Sequence, residues 1–419
     1  MFNSIDEVYG YLYNQKKLKK REDLNRIKYC IDKLDLWPKY KIIHIAGTNG
    51  KGSTAAYIKS ILSNCGMHVG FFISPFVISF NERIEINERM ISNSEIMHYS
   101  NILYEFNENY KKEYDDVIPF FELTLLMALM FFKDRNIDIA VIECGLGGLL
   151  DATNILPKNI SIITNIGFDH MAQLGNTLEE ISFHKLGITR PNITNLTTVD
   201  KSLHNYFNNY AKEHNLNIKY LNDDVSDIKV SDFTYFKYKG IDYKSNLLGS
   251  YQAYNAALAI EAVKEILPNI EYDIIDYGLS HVFWPGRFEI LNNNPKIILD
   301  GAHNIHAINA LKNNIKNYIG NSKLKIMFTA LFDKDYKSVI KSLDDVASFY
   351  YFTTINDLRA TNSNDFKTCT NKDNIIIEDY KLCLDEAIKN LNENEVLLIT
   401  GSLHFISTIR EYYFTKYKN

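Results

Sequence analysis

Long hydrophobic runs are missing from this 419-residue sequence; the most apolar stretches, such as Leu123 to Phe132, are too short to span a bilayer. No basic-then-apolar leader opens the chain at Met1-Phe2-Asn3-Ser4, so a cytoplasmic protein with no membrane partner is expected. A basic tail or stripe is also lacking, and the formal net charge of -5 argues against a nucleic-acid partner. The five cysteines, at 30, 65, 144, 369 and 383, show no metal-ligand or redox-motif spacing, and they read as free thiols in a reducing compartment. There is no internal repeat and no long low-complexity segment.

What is present is an alternation of strand-like and helix-like patterns over a length that calls for two domains, hence an α/β fold. Lys41 to Ala46 reads as a buried strand and Ser53 to Cys65 as a helix, with Tyr57, Ile58, Ile61, Leu62 and Cys65 recurring on one face. Val69 to Ile73, Ile137 to Ile142 and Ile160 to Ile163 read as further strands, and Glu122 to Arg135 as a buried helix. A second series follows Trp284-Pro285-Gly286-Arg287. It has strands at Lys296 to Leu299, Lys325 to Leu331, Ser348 to Thr354 and Val396 to Thr400, with helices at Ile305 to Tyr318 and Phe405 to Tyr412. Pro-Gly punctuation puts the expected boundary near 288, giving domains 1–287 and 288–419.

Gly47-Thr48-Asn49-Gly50-Lys51-Gly52-Ser53-Thr54 lies between the first strand and its helix. A helix N-terminus offers unpaired N–H groups, glycines let the backbone approach phosphate oxygens, and a lysine adds a positive charge. Ser53 or Thr54 adds a hydroxyl for a metal or a phosphate. The common P-loop pattern is not met, because Ile45 replaces its first glycine and Gly52 its Ser or Thr. A glycine-rich turn with no ligand is the alternative.

This loop resembles the nucleotide loop of the folylpolyglutamate synthase/dihydrofolate synthase branch of the Mur ligase superfamily. Ser74-Pro75 with Phe80-Asn81-Glu82-Arg83-Ile84 resembles that family's next segment, and Glu143-Cys144-Gly145-Leu146-Gly147-Gly148 with Leu150-Asp151-Ala152-Thr153-Asn154 its most distinctive signature. Thr164 to Gly187, Gln252 with Asn255, Trp284 to Arg287, Asp300-Gly301-Ala302-His303-Asn304 and Asp333-Lys334-Asp335 follow in the family's order, so the resemblance covers nearly the whole chain.

The resemblance implies a P-loop-like central ATPase domain with a folate pocket, then a smaller Rossmann-like C-terminal domain on the glutamate side. It implies ATP-dependent ligation of L-glutamate to a folate carboxylate, or to dihydropteroate, through an acyl phosphate, by a monomer. Thr48 to Thr54, with Lys51, would hold ATP together with Asn255, Arg287, Asp300 and His303. Ser74, Glu143 and His170 match magnesium ligands, and two ions are implied. Lys185 matches a lysine carried as a carbamate, and Asp300 and His303 would face the incoming amine. Phe121, Glu122, Leu150, Asp151 and Ala152 match the pterin-side pocket. Three positions depart from the family: Phe76 stands in place of a His, Leu149 of an Arg and Tyr251 of a His. Altered substrate contacts are the expected consequence. Rival readings are a cell-wall Mur ligase, which would need a domain ahead of Gly47, a non-catalytic nucleotide-binding relative, and a generic P-loop kinase or GTPase.

Overall fold

The computed structural model describes residues 1–15, 23–332, 334–357 and 359–418. They form two compact units: Met1–Asp223 with Asn255–Leu279, and Asp224–Tyr254 with Ser280–Asn419. The second unit is therefore built from two separate stretches of chain.

The first unit is organised on eight strands: β1 (Lys41–Ala46), β2 (Val69–Phe72), β3 (Ile84–Ile86), β4 (Arg89–Met90), β5 (Ile139–Glu143), β6 (Ile160–Ile163), β7 (Thr194–Thr197) and β8 (Ile218–Tyr220). Their order across the sheet is β4-β3-β2-β5-β1-β6-β7-β8. The β2–β3 and β3–β4 pairings at one edge are antiparallel, and the other five are parallel. Parallel strands covered on both faces carry near-continuous apolar runs, and β1 and β5 are buried along almost their whole length. One face packs beneath helix Phe120–Asp134, where Leu123, Leu126 and Phe131 are fully buried. The other face carries a smaller cluster around Ile163, Ile181, Ile188 and Phe207. β1 lies between β5 and β6, so successive crossovers leave it in opposite directions, which opens a crevice at the carboxyl edge of the sheet. In that register Ile45 pairs with Glu143. The phosphate loop and the Glu143 carboxylate thus leave the sheet side by side.

The second unit has a three-stranded meander of β9 (Val225–Val230), β10 (Thr234–Tyr238) and β11 (Ile241–Ser245). Lys239 and Gly240 join β10 to β11, both with positive φ, as a two-residue hairpin turn requires. A six-stranded sheet follows, with β12 (Glu289–Asn293), β13 (Lys296–Asp300), β14 (Lys323–Phe328), β15 (Ala347–Thr354), β16 (Asn374–Asp379) and β17 (Glu395–Thr400) in the order β12-β13-β17-β14-β15-β16. Apolar clusters cover both its faces.

The expected strands are present with ends shifted by a residue or a few, and the expected helix at Ser53 begins earlier, at Lys51 inside the glycine-rich loop. The meander, the edge strands β12 and β16, and a 22-residue helix at Asn93–Tyr114 were not expected. Asp333 lies outside the described residues. Among the described residues no helix is long and apolar enough to cross a membrane.

Candidate active site

Helix Lys51–Asn64 starts on Gly50, whose φ of 81° suits glycine and which supplies no side-chain cap. Its first-turn amides are therefore available for an anion rather than consumed by a capping oxygen. A Cβ on Gly50 would overlap the side-chain amide of Asn255, and one on Gly47 would overlap the Thr164 hydroxyl. Neighbouring loops brace the backbone. The Asn49 amide donates to Asn165 Oδ1 at 2.9 Å, the Thr164 hydroxyl donates to the Asn49 carbonyl at 2.5 Å, and Thr48 Oγ1 both donates to the Gly167 carbonyl and accepts from the Gly167 amide. Ser53 and Thr54 are buried at the start of the helix, and the Thr54 hydroxyl is sealed without a partner.

Two ammonium groups close on this loop. Lys51 Nζ donates to the Gly47 carbonyl at 3.1 Å and stands 3.8 Å from Glu143 Oε1. Lys185, on helix Leu178–Leu186, is 4 % exposed and donates to the same Gly47 carbonyl at 2.9 Å. Burial, reinforced by the Lys51 charge, pulls the Lys185 ammonium down to about 7. The neutral amine is thus favoured at this buried position.

Of the three expected metal ligands, the structure brings Ser74 and Glu143 together: the Ser74 amide donates to Glu143 Oε2 at 3.3 Å. His170 begins a short helix in a left-handed conformation, with its amide on Asp169 Oδ1 at 2.9 Å and its imidazole 4.0 Å from the Asp169 carboxylate. Among the described residues no three His, Cys, Asp or Glu side chains converge into a ready cage. A hydroxyl beside a carboxylate still fits Mg²⁺, which takes one or two protein oxygens and completes its shell with water and phosphate.

The expected substrate residues separate into two groups. The Phe121 ring lies over Gly145, where a Cβ would come within 2.7 Å of it, and 5.7 Å from the Phe72 ring. Leu150 is half-buried and Ala152 fully buried beside it in the chain. Asp151 and Glu122 both make hydrogen bonds within the protein. Asp151 Oδ2 accepts from the Leu146 amide at 2.9 Å, and Oδ1 accepts from the Thr153 amide and hydroxyl. Glu122 takes both ends of the Arg26 guanidinium at 2.8 and 2.9 Å, and Asp116 takes its third contact at 2.7 Å. Leu149, in place of the family's Arg, packs on Gly187.

Sequence reasoning missed a buried chain behind this loop. Lys158 Nζ donates to Asn154 Oδ1 at 2.6 Å and lies 3.1 Å from His44 Nδ1, while His44 Nε2 is 2.7 Å from the Thr153 hydroxyl, which donates to Asp151 at 2.5 Å. A donating Lys158 makes Nδ1 the acceptor, so Nε2 carries the imidazole proton and every bond points toward the Asp151 carboxylate. Burial first, then the charges of Lys158 and Arg190, hold His44 neutral. The one available signal was a histidine inside the otherwise apolar strand β1.

In the second unit, β13 ends on Asp300, which is 5 % exposed and accepts from the Phe288 amide at 2.9 Å and the Ala302 amide at 2.8 Å. Burial pushes its carboxyl above the usual carboxylate range, so the ionised form is disfavoured, and the Arg287 charge opposes that shift. His303 Nδ1 is 2.8 Å from the Gly301 carbonyl, which fixes that nitrogen as the donor. Asn304 caps helix Ile305–Ile319. Arg287 NH1 lies 3.4 Å from the Gly286 carbonyl, and the Tyr251 ring packs against Gly249.

Comparison with known proteins agrees with this geometry. Residues 45–263 match the Mur ligase middle domain and residues 286–403 the Mur ligase glutamate ligase domain. The dihydrofolate synthase/folylpolyglutamate synthase of Bacillus subtilis (strain 168) is 34% identical, over 98% of this chain and 99% of its own. The folylpolyglutamate synthase of Lacticaseibacillus casei is 29% identical, with 97% of each chain covered. Among solved structures, folylpolyglutamate synthase from Thermotoga maritima superposes with a TM-score of 0.85 at 29% identity, over 98% of this chain and 97% of its own. Escherichia coli FolC in complex with DHPP and ADP shares the fold, with a TM-score of 0.89 at 24% identity over 99% of this chain and 98% of that one.

Proposed function

Since this chain belongs to the Mur ligase family, in its folylpolyglutamate and dihydrofolate synthase branch, we propose that its phosphate loop and the groups around it carry out ATP-dependent ligation of L-glutamate to a folate carboxylate. The observation that carries this reading is the convergence of Lys51, Lys185 and Glu143 on one glycine-rich loop.

A carboxylate is a poor electrophile. One of its oxygens attacks the γ-phosphorus of ATP and releases ADP, and the glutamate amine then attacks the acyl carbon, loses a proton and expels phosphate. Both steps depend on positioning and charge neutralisation more than on covalent help from the protein. The first-turn amides and Lys51 bind the β- and γ-phosphates, and Asn255 lines the loop beside Gly50 for the nucleotide. A divalent ion held by Ser74 and Glu143, with His170 as a third ligand, would neutralise phosphate charge. Neutral Lys185 adds to carbon dioxide, releases a proton and becomes an anionic carbamate. That would put an anion beside Lys51, where it could serve a second ion. Arg287 serves the phosphates, and Asp300 and His303 the nucleotide and the incoming amine. Phe121, Leu150 and Ala152 form the wall for the flat heterocycle.

Phosphate release with Mg-ATP and glutamate tests the reading, comparing tetrahydrofolate, dihydropteroate and no acceptor. Release that depends on an acceptor is expected, and activity with both acceptors would make the enzyme bifunctional. No acceptor-dependent release with either would sink the proposal. Labelled bicarbonate should give a protein-bound carbamate resonance that Lys185→Ala lacks.

A further inference from the structure

Arg83 ends the Phe80–Arg83 turn ahead of β3, and is 7 % exposed. Among the described residues no side chain or carbonyl forms an ion pair or hydrogen bond with its guanidinium, and its Nε–H is sealed without an acceptor. Three rings surround it instead, with centres 5.3 Å (Phe76), 5.8 Å (Phe80) and 5.2 Å (Phe120) from the guanidinium carbon. Tyr13 stacks on Phe120 behind them, 5.1 Å between ring centres.

Nothing in the turn itself calls for a charge. Its other two polar residues do the holding: Glu82 accepts the amides of Val77 and Ile78 at 2.9 and 2.7 Å, and Asn81 donates to the Ile91 carbonyl at 2.6 Å. Ring contacts only partly replace the water a buried guanidinium gives up, so an unpaired one is costly unless an anion joins it. The cage also abuts the reacting groups. The Arg83 carbonyl accepts from the Ile73 amide at 3.1 Å, Ser74 follows Ile73, and the Ser74 amide is on Glu143. Glu143 is felt at Arg83 as a favourable charge, without contact. Phe76, the first of the three departures from the family pattern, supplies one wall. A planar cation with free donors, walled by rings and one residue's reach from Ser74 and Glu143, matches an aromatic carboxylate.

Resting on the ligase reading above, we propose that Arg83 is the docking group for the carboxylate of the pteroate- or folate-type acid, with Phe76, Phe80 and Phe120 keeping water from the pair. The test is calorimetric binding to the full chain in Mg-ADP, using dihydropteroate and its analogue with hydrogen in place of the carboxylate. Wild type should prefer dihydropteroate by about tenfold or more, the scale of a charge-assisted hydrogen-bonded pair. Arg83→Gln should bring that preference to about twofold or less, on the same scale, leaving analogue and Mg-ADP affinities unchanged. A preference that survives in Arg83→Gln overturns the assignment. So does an equal loss for both ligands, which would mark a purely structural arginine. Should Arg83→Gln show no melting transition, Arg83→Lys decides by the same ratio, because it keeps the charge and loses the planar fork. A wild type that binds neither ligand overturns the ligase reading itself.

Discussion

Lys158 shows how one residue can carry a pH dependence for the whole chain. Among the described residues no carboxylate pairs with it, and burial, with Arg190 nearby, pulls its ammonium down to about 7. In the unfolded chain a lysine titrates near 10.4. Between those two values the unfolded state binds more protons than the folded one, so this residue's contribution to stability rises with pH, by up to about 1.4 kcal/mol per unit, and levels off beyond the upper value. Below pH 7 the full cost of burying the charge is present. Lys185 acts in the same sense, so the comparison must be a difference. The unfolding free energy of wild type minus that of Lys158→Met should climb between pH 7.5 and 9.5 at roughly that slope, read by urea unfolding. A flat difference would mean that Lys158 stays charged when buried. Neither Lys158 nor Arg83 could be singled out from the sequence as a site, because each matters through neighbours distant in the chain. The phosphate loop, Glu143 and Lys185 could be picked out as candidates because they sit in short ordered motifs, and the structure brings them together.

At the scale of elements, one tie between N-terminal helices is ionic. Arg26, on helix Asn25–Lys33, meets Glu122 on helix Phe120–Asp134 and Asp116 just ahead of it, with side chains 13%, 2% and 9% exposed. Removing the cation takes a charged partner from two carboxylates held largely out of water. Arg26→Ala should therefore cost about 3–5 kcal/mol, whereas the exposed Lys28–Asp32 pair should contribute little. Chemical denaturation of Arg26→Ala and Lys28→Ala side by side measures both, and equal small losses would refute the distinction. The same pairing gives Glu122 a neighbour that its place beside Phe121 did not suggest: a helix turns adjacent residues to different sides. Buried parallel strands were legible as apolar runs. Helix Asn93–Tyr114 was not, since its buried residues form a thin stripe among polar ones. The meander escaped notice although β10 alternates buried and partly exposed positions.

At the scale of the molecule, two compact units were legible in two βα series, but the discontinuity of the second was not. Pro-Gly punctuation reports a turn, not which unit a segment packs into. Val230 and Leu248, from the first stretch of the second unit, belong to the apolar cluster formed by Ile298, Ile308, Ile326 and their neighbours. A fragment of residues 1–287 therefore carries the meander without its core. It should bind a hydrophobic dye and aggregate more readily than the whole chain. A fragment that melts cooperatively and leaves the dye unbound would show that the meander stands alone. The split ordering of the units also has a consequence in time. A ribosome delivers the chain from its amino end, so residues 224–254 emerge before the last stretch of the first unit and well before β12 to β17. Through that interval Leu247 and Leu248, each 5% exposed in the finished protein, have no completed core to enter. The nascent meander is then the part of this chain most in need of a chaperone, and slowing translation just past it would lengthen its wait.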